Sequence, residues 1–209
     1  MKTKEDILKI MAQLRQIPAA VLSDVMNRMN CMDAGIKPLK EDVNMVGTAL
    51  TVKSMAGCNW GTHKALTMIE EHHVLVVDAR QHLNTAVWGF LQTTAAIKRK
   101  AAGVIIDGSV RDSLEIKRSS LPLFCRGKSP AGPHKGWKDD VQTDIQCGGV
   151  VVKPGDFIKG DDDGVVVIPA EEIDRVIPLA FERLKLEEKW FAELEKGKTT
   201  FEIIGLKDS

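Results

Sequence analysis

Excess charge of either sign, aromatic rings, paired cysteines and long apolar runs are all scarce in this 209-residue chain. Its 29 basic residues are balanced by 29 acidic ones, so no net field draws it to nucleic acid or to an anionic membrane. Aromatic residues are 5% of the chain, and the basic residues are dispersed, which leaves no stacking surface for RNA. The four cysteines, Cys31, Cys58, Cys125 and Cys147, form no CxxC pair, so free thiols in a reducing cytoplasm are expected rather than a disulfide scaffold. No segment approaches the roughly 20 apolar residues that span a bilayer. The charged, amphipathic start MKTKEDILKIMAQLRQ has no signal-peptide core. GxGxxG after the first strand, GxxxxGK and GxSxG are missing, which removes the motifs of dinucleotide, nucleotide and serine-hydrolase sites. The histidines are scattered, without the clustering with cysteine that zinc requires. The expectation is a cytoplasmic protein that binds neither nucleic acid nor membrane.

What is present is an α/β pattern. With 44% hydrophobic residues over 209, the chain can bury one good core and is most simply a single domain, 1–209. KEDILKIMAQL repeats apolar residues on one helical face, and IPAAVLSDVMNRM reads as a second helix with Pro18 in its first turn. MVGTALTVKS predicts a strand and THKALTMIEE a helix. HVLVVDAR predicts an apolar strand ending at Asp78, AVWGFLQTTAAIKRKA a helix, and AGVIIDG a further buried strand. Apolar strands alternating with helices indicate βαβ units. After Ser120, short β-rich pieces separated by Gly and Pro predict hairpins in a mixed sheet. A charged helical segment, 170–197, closes the chain, with Pro178 expected to kink or restart it. Its apolar residues Ile177, Leu179, Phe181, Leu184, Trp190 and Phe191 face more than one side, which predicts subunit contacts.

The polar residues that stand out gather at the ends of those strands, where open α/β sheets place their ligands. Asp78 and Asp107 are each expected at a strand terminus, either as turn caps or as site groups. Arg111-Asp112 follows Asp107 directly. Asp112, opening a helix, can cap amides or hold a divalent cation, and Arg111 can clamp a carboxylate through its planar fork. Gly89, at the start of another helix, frees backbone amides to face an anion. The run KGDDDG lacks the spacing of a calcium loop and is expected to be a turn between strands.

Taken together, VLSDVMNRM, VGTALTV, VLVVD, GFLQTTAAIKRKAAGVIIDGSVRD, FCRGKSPAGP and VVVKPGDFIKGDDDGVVVIP resemble the regulator-of-ribonuclease-activity-A-like family. Its enzymatic branch contains 4-hydroxy-4-methyl-2-oxoglutarate aldolases that also decarboxylate oxaloacetate. Relatives have also been called demethylmenaquinone methyltransferases, a label that the missing glycine-rich cofactor loop speaks against. The resemblance implies a swivelling β/β/α domain, a compact mixed-sheet core with flanking helices and a C-terminal helical extension, assembled as a homotrimer or homohexamer with sites between subunits. It further implies a divalent cation, Mg²⁺ or Mn²⁺, bound by Asp112 largely through water, and a 2-oxo acid held by Arg111. The backbone amides at Gly89, Phe90, Leu91 and Gln92 would take the substrate's carboxylate. An acid lent by a neighbouring subunit falls at Glu187. Phe90 departs from the pattern, standing where the aldolases carry Asp or Glu; it adds an apolar wall and favours decarboxylation, which needs no base to deprotonate an alcohol. His72-His73 departs likewise, replacing the usual Gly-Asp. The function implied is a metal-dependent carbon–carbon lyase, aldolase or decarboxylase, acting on a small 2-oxo acid through a stabilised enolate. The alternative is a non-catalytic regulator that acts by protein contact.

Overall fold

The computed structural model describes residues 2–207. Helix α1 (Lys4–Leu14) opens with a reciprocal cap between Thr3 and Asp6 and buries Ile10, Met11 and Leu14, as their spacing predicts. Helix α2 (Ala19–Val25) follows, with Pro18 just outside its first turn rather than in it. Strands β1 (Lys37–Pro38) and β2 (Met45–Lys53), helix α3 (Trp60–Leu66), strand β3 (His73–Trp88), helix α4 (Phe90–Lys98) and strand β4 (Gly103–Val110) come next. Helix α5 (Ser113–Arg118) and strand β5 (Leu123–Lys128) finish three successive strand–helix–strand units. Short strands β6 (Asp140–Val141), β7 (Ile145–Cys147), β8 (Val150–Val152), β9 (Phe157–Asp161) and β10 (Gly164–Ile168) lead to helices α6 (Ile173–Glu195) and α7 (Thr200–Ile203).

Strands β2 to β5 are parallel and lie in the order β5-β4-β3-β2. Right-handed crossovers that step one way through a sheet put all their helices on one face. That face holds Leu50, Val52, Leu75, Val77, Val104 and Ile106 against Leu66, Ala96 and Ile116 of α3, α4 and α5. The alternate residues, Ala49, Val74, Val76 and Ile105, meet Ile145, Cys147, Val152, Val165 and Val167 from the hairpins. Cover on both faces is why these strands read as unbroken apolar runs, each such side chain stabilising the fold by roughly 1.5–3 kcal/mol. Beyond β2, the antiparallel pair β9–β10 packs with α1, α2 and the first half of α6 in a third cluster. The expected α/β architecture, a mixed sheet with flanking helices and a C-terminal helix, is the one that forms.

Four details differ from the sequence reading. First, β3 does not stop at Asp78. It continues to Trp88 through register shifts against β4, made possible by Arg80 and Gln81 at φ 58 and 56, and the following helix starts only at Phe90. Second, Asp107 lies inside β4. Asp78 and Asp107 are therefore mid-strand residues buried away from the strand ends, at 7% and 2% exposure. Third, α3 begins at Trp60 and closes at Leu66, earlier at both ends than THKALTMIEE suggests, and Asp139 accepts from Gly61 N in its first turn. Fourth, α6 runs unbroken through Pro178; the carbonyl that loses its partner belongs to Asp174, an exposed residue, so water can satisfy it.

Among the described residues, no helix is long and apolar enough to cross a membrane. All four cysteines are free. The three aspartates of KGDDDG form a hairpin turn as expected: Asp161 accepts from Ala19 N and Asp163 N, and Asp162 from Asp42 N and Val43 N.

Candidate active site

The parallel strands β3 and β4 end side by side, and Arg111 N donates to Trp88 O at 2.9 Å. This bond sets the chain after β4 against the start of α4. Asp112, which begins α5, has φ 56 and ψ 39, a left-handed conformation, and makes no side-chain cap to its own helix. Its Oδ2 instead accepts from Phe90 N, 2.9 Å away, at the start of α4. The carboxylate thus answers the positive end of the neighbouring helix rather than its own.

Two glycines make this approach possible. A Cβ on Gly89 would lie 2.7 Å from Asp112 Oδ2 and 3.3 Å from Arg111 Nε, and one on Gly132 would lie 2.8 Å from Arg111 Nη1. The Arg111 side chain passes between the two backbones. Its only charged neighbour within salt-bridge range among the described residues is Asp112, Nε to Oδ2 at 3.9 Å. The guanidinium donates no hydrogen bond to any described residue, so its planar fork is open to a ligand.

Gly89, Arg111 and Asp112 line a cavity of about 150 Å³ that also reaches Asn59, His63 and Lys135. Trp88 forms part of its wall, with Nε1 donating to Thr93 Oγ1 at 2.8 Å. Gln92, another lining residue, donates from Nε2 to Thr62 Oγ1 at 2.6 Å and ties α4 to α3. In the first turn of α4, Phe90 N is taken by Asp112, while the N–H groups of Leu91 and Gln92 have no partner among the described residues. They are the free donors of a helix start and suit an anion.

Asn59 stands at the N-cap position of α3 without capping it. Its Nδ2 lies 3.2 Å from His63 Nε2, and its buried Oδ1 has no hydrogen-bond partner among the described residues. Burial first, and then the Lys135 ammonium, hold the His63 imidazole below its ordinary pKa, so the ring is neutral at pH 7. Burial pushes the Cys125 thiol up to about 11 and the Cys147 thiol well above its usual value. Neither is a thiolate nucleophile at neutral pH.

Most of the residues singled out in the sequence meet here: Gly89, Leu91, Gln92, Arg111 and Asp112 line the same cavity. Phe90 contributes its backbone amide, but its side chain is not among the lining groups; Leu91 supplies the apolar wall instead. Glu187 is elsewhere in this chain. It lines an apolar groove with Trp190, Phe191 and Leu194 of α6 and residues of α7, and it accepts from Arg183 Nε at 2.9 Å. Asp107 is structural, joined to Arg126, which also holds Asp33, and accepting from Gly148 N. Asp78 accepts from Arg80 N, and burial raises its pKa. Asn59, His63 and Lys135 were not singled out in the sequence. The Asn59–His63 spacing of one helical turn was their only local signal.

Among the described residues, no group of three or more His, Cys, Asp or Glu could enclose a metal. Asp112 is the one carboxylate on the cavity wall.

Residues 19–167 match the family profile described as RraA-like, Aldolase/RraA. A Halalkalibacterium halodurans protein named "Putative 4-hydroxy-4-methyl-2-oxoglutarate aldolase" is 35% identical over 173 residues, covering 83% of this chain and 82% of that one. The structure titled as the RNA-processing inhibitor RraA of Thermus thermophilus superimposes with TM-score 0.67 at 27% identity, over 73% of this chain and 92% of that one. An uncharacterised Pseudomonas syringae protein shares the fold with TM-score 0.81 at 23% identity, over 94% and 96% of the two chains.

Proposed function

The chain belongs to the RraA-like family, and from that membership and the cavity at Arg111 we propose that it is a divalent-metal-dependent lyase cleaving a carbon–carbon bond of a small 2-oxo acid. Retro-aldol cleavage of a 4-hydroxy-2-oxo acid and decarboxylation of an oxaloacetate-type acid both leave the same species, the enolate of the 2-oxo acid product. The observation that carries the reading is the Arg111 guanidinium, which donates no hydrogen bond among the described residues, lies against Gly89 and Gly132, and lines the same cavity as Leu91 and Gln92.

The donor set fits a magnesium-type ion. Asp112 commits Oδ2 to Phe90 N, and its Oδ1 accepts no hydrogen bond from the described residues. One direct carboxylate with water and substrate oxygens is the usual manner in which Mg²⁺ is held. When bound, such an ion supplies Lewis-acid stabilisation of the enolate. The protein's own contribution is positioning and fixed positive potential. Leu91 N and Gln92 N receive the substrate carboxylate, Arg111 holds the 2-oxo group where negative charge develops, and Trp88 and Leu91 limit access of water.

Glu187 enters this reading only from a neighbouring copy. The support for that arrangement is the apolar surface around it: Phe191 is 65% exposed, and Leu194, Phe201 and Ile204 are exposed with it. A homotrimer or homohexamer would cover such a face and carry Glu187 towards another chain's cavity. The competing reading, a non-catalytic regulator that acts by protein contact, has as its support the likeness to the RNA-processing inhibitor RraA of Thermus thermophilus; such a regulator has no use for an open guanidinium beside a lone carboxylate.

The deciding experiment is turnover of a panel of 2-oxo acids by the purified protein, with Mg²⁺ or Mn²⁺ and with excess chelator. Wild type should require the cation, and Asp112→Ala should lose metal-stimulated turnover while keeping its circular dichroism spectrum. Full activity in chelator, or in that variant, would remove the metal from the mechanism.

A further inference from the structure

Donors crowd the wall of the cavity. Arg111, Lys135 and the free N–H groups of Leu91 and Gln92 all offer protons and accept none. Trp88 Nε1 is committed to Thr93, and the Asn59 amide and the His63 ring engage each other. Among the acceptors, Asp112 serves Phe90 N and the cation of the lyase reading. A further acceptor is the side-chain amide oxygen of Gln92, a lining residue that is 5% exposed.

The direction of that amide follows from a chain of hydrogen bonds. Thr62 Oγ1 donates its proton to Asn59 O at 2.9 Å, so the same oxygen can only accept from Gln92, and the atom 2.6 Å from it is Nε2. The reversed amide would take the Thr62 proton away from Asn59 O, forfeit a bond, and turn an NH₂ group towards space already lined by Arg111 and Lys135. Oε1 therefore points away from Thr62. It accepts from no described residue, yet it is not sealed in, because the one buried side-chain polar atom without a partner among the described residues is Asn59 Oδ1. Gln92 Oε1 thus meets open space, and the space that Gln92 borders is the cavity. Gln92 is also the third residue of α4, where a Gln side chain can turn back to the N–H of the N-cap residue. Here the N-cap is Gly89, and the side chain reaches across to α3 instead.

We propose that Gln92 Oε1 is a specificity-determining group, which accepts from a hydroxyl of the ligand and so selects hydroxylated 2-oxo acids. The inference rests on the lyase reading above and chooses between its two reactions. A 4-hydroxy-2-oxo acid brings the donor that Oε1 needs. An oxaloacetate-type acid presents a second carboxylate with no proton to give, and two acceptors would then face each other. The cavity, about 150 Å³, is smaller than the roughly 300–1,000 Å³ of pockets for drug-sized ligands, so a small ligand in it lies close to every wall. The Thr62 bond carries the Gln92 amide to the α3 side, where Asn59 and His63 also line the cavity. One residue then reads both ends of the ligand, the carboxylate through its backbone N–H and the hydroxyl through its side-chain oxygen. The neutral amide takes no proton from the hydroxyl; it discriminates by binding.

The test compares kcat/KM for the best 4-hydroxy-2-oxo acid of the panel with kcat/KM for oxaloacetate, both with Mg²⁺ and both followed by pyruvate release. Gln92→Met keeps the length of the side chain and removes its oxygen. Its kcat/KM for the hydroxylated acid should fall roughly 10-fold, the effect of one hydroxyl left without an acceptor, while that for oxaloacetate stays within about twofold. Gln92→Glu keeps an acceptor at the same reach, so the preference for the hydroxylated acid should survive in it, and this variant carries the test if circular dichroism shows the methionine variant unfolded. Equal losses on both substrates in Gln92→Met would make the residue a tie between α4 and α3 and nothing more. That result, unchanged rates, or a preference lost in Gln92→Glu would overturn the proposal. A wild-type protein that decarboxylates oxaloacetate and leaves every 4-hydroxy-2-oxo acid intact would overturn it too, with the lyase reading still standing. A wild type that turns over neither overturns both.

Discussion

Replacing Gly89 with alanine tests whether the close approach at this residue exists for chemistry or for stability. The backbone there is extended, φ −156, so alanine meets no conformational strain. Its methyl would lie 2.7 Å from Asp112 Oδ2 and 3.2 Å from Arg111 Cγ. A relaxed carbon–oxygen contact needs about 3.2 Å or more, so the carboxylate must retreat by roughly 0.5 Å, and the 2.9 Å bond from Phe90 N lengthens or breaks. Asp112 is 42% exposed at its side chain, so losing that bond costs only about 1 kcal/mol. In a chain of this size that is a fall of about 2–4 °C in Tm. The effect on turnover should be far larger, since misplacing reacting groups by the order of 1 Å can cost about 100-fold, or about 2.7 kcal/mol of barrier. Differential scanning calorimetry paired with kcat/KM separates the two. A variant with wild-type turnover would refute the argument that Gly89 sets the site geometry, and a collapse of the fold would show that the contact serves stability instead.

Arg111→Lys should lose most activity and bind pyruvate more weakly, by about 2–5 kcal/mol if the contact is a desolvated, charge-assisted pair, because an ammonium cannot reproduce the planar fork; unchanged kinetics would make the arginine structural. Light scattering should report at least a trimer, and Phe191→Glu, at an exposed apolar position of α6, should dissociate it and depress activity. An active wild-type monomer would contradict a shared site. Arg126→Leu should destabilise the fold by about 3–5 kcal/mol, measured by urea denaturation, since it leaves the Asp107 side chain, 3% exposed, without its cation; a change below about 1 kcal/mol would mean that Gly148 N alone satisfies it.

Much of the scaffold could be read from local pattern. The runs around Val74–Val77 and Val104–Ile106 are apolar without alternation, and that property alone requires cover on both faces of a sheet. The turn at Asp161–Asp163 was equally legible, because consecutive carboxylates cannot converge on one ion. Pro178 misled because its cost depends on whether the orphaned carbonyl meets water, and only the fold shows that Asp174 is exposed. Asp78 misled because β3 carries on past it by adopting left-handed backbone at Arg80 and Gln81, which no side-chain propensity announces.

For the candidate site the division is sharper. Periodicity and helix-start chemistry are properties of neighbouring residues, and they are enough to put Gly89, Arg111 and Asp112 at helix starts behind buried strands. It takes the folded chain to show that Asp112 serves α4 rather than its own helix, that Arg111 lies against Gly89 and Gly132, and that Asn59, His63 and Lys135 line the same cavity. Those contacts join residues far apart along the chain. Their geometry follows from the register of parallel strands and the stacking of three helices on one face, and neither is encoded within any single stretch of residues.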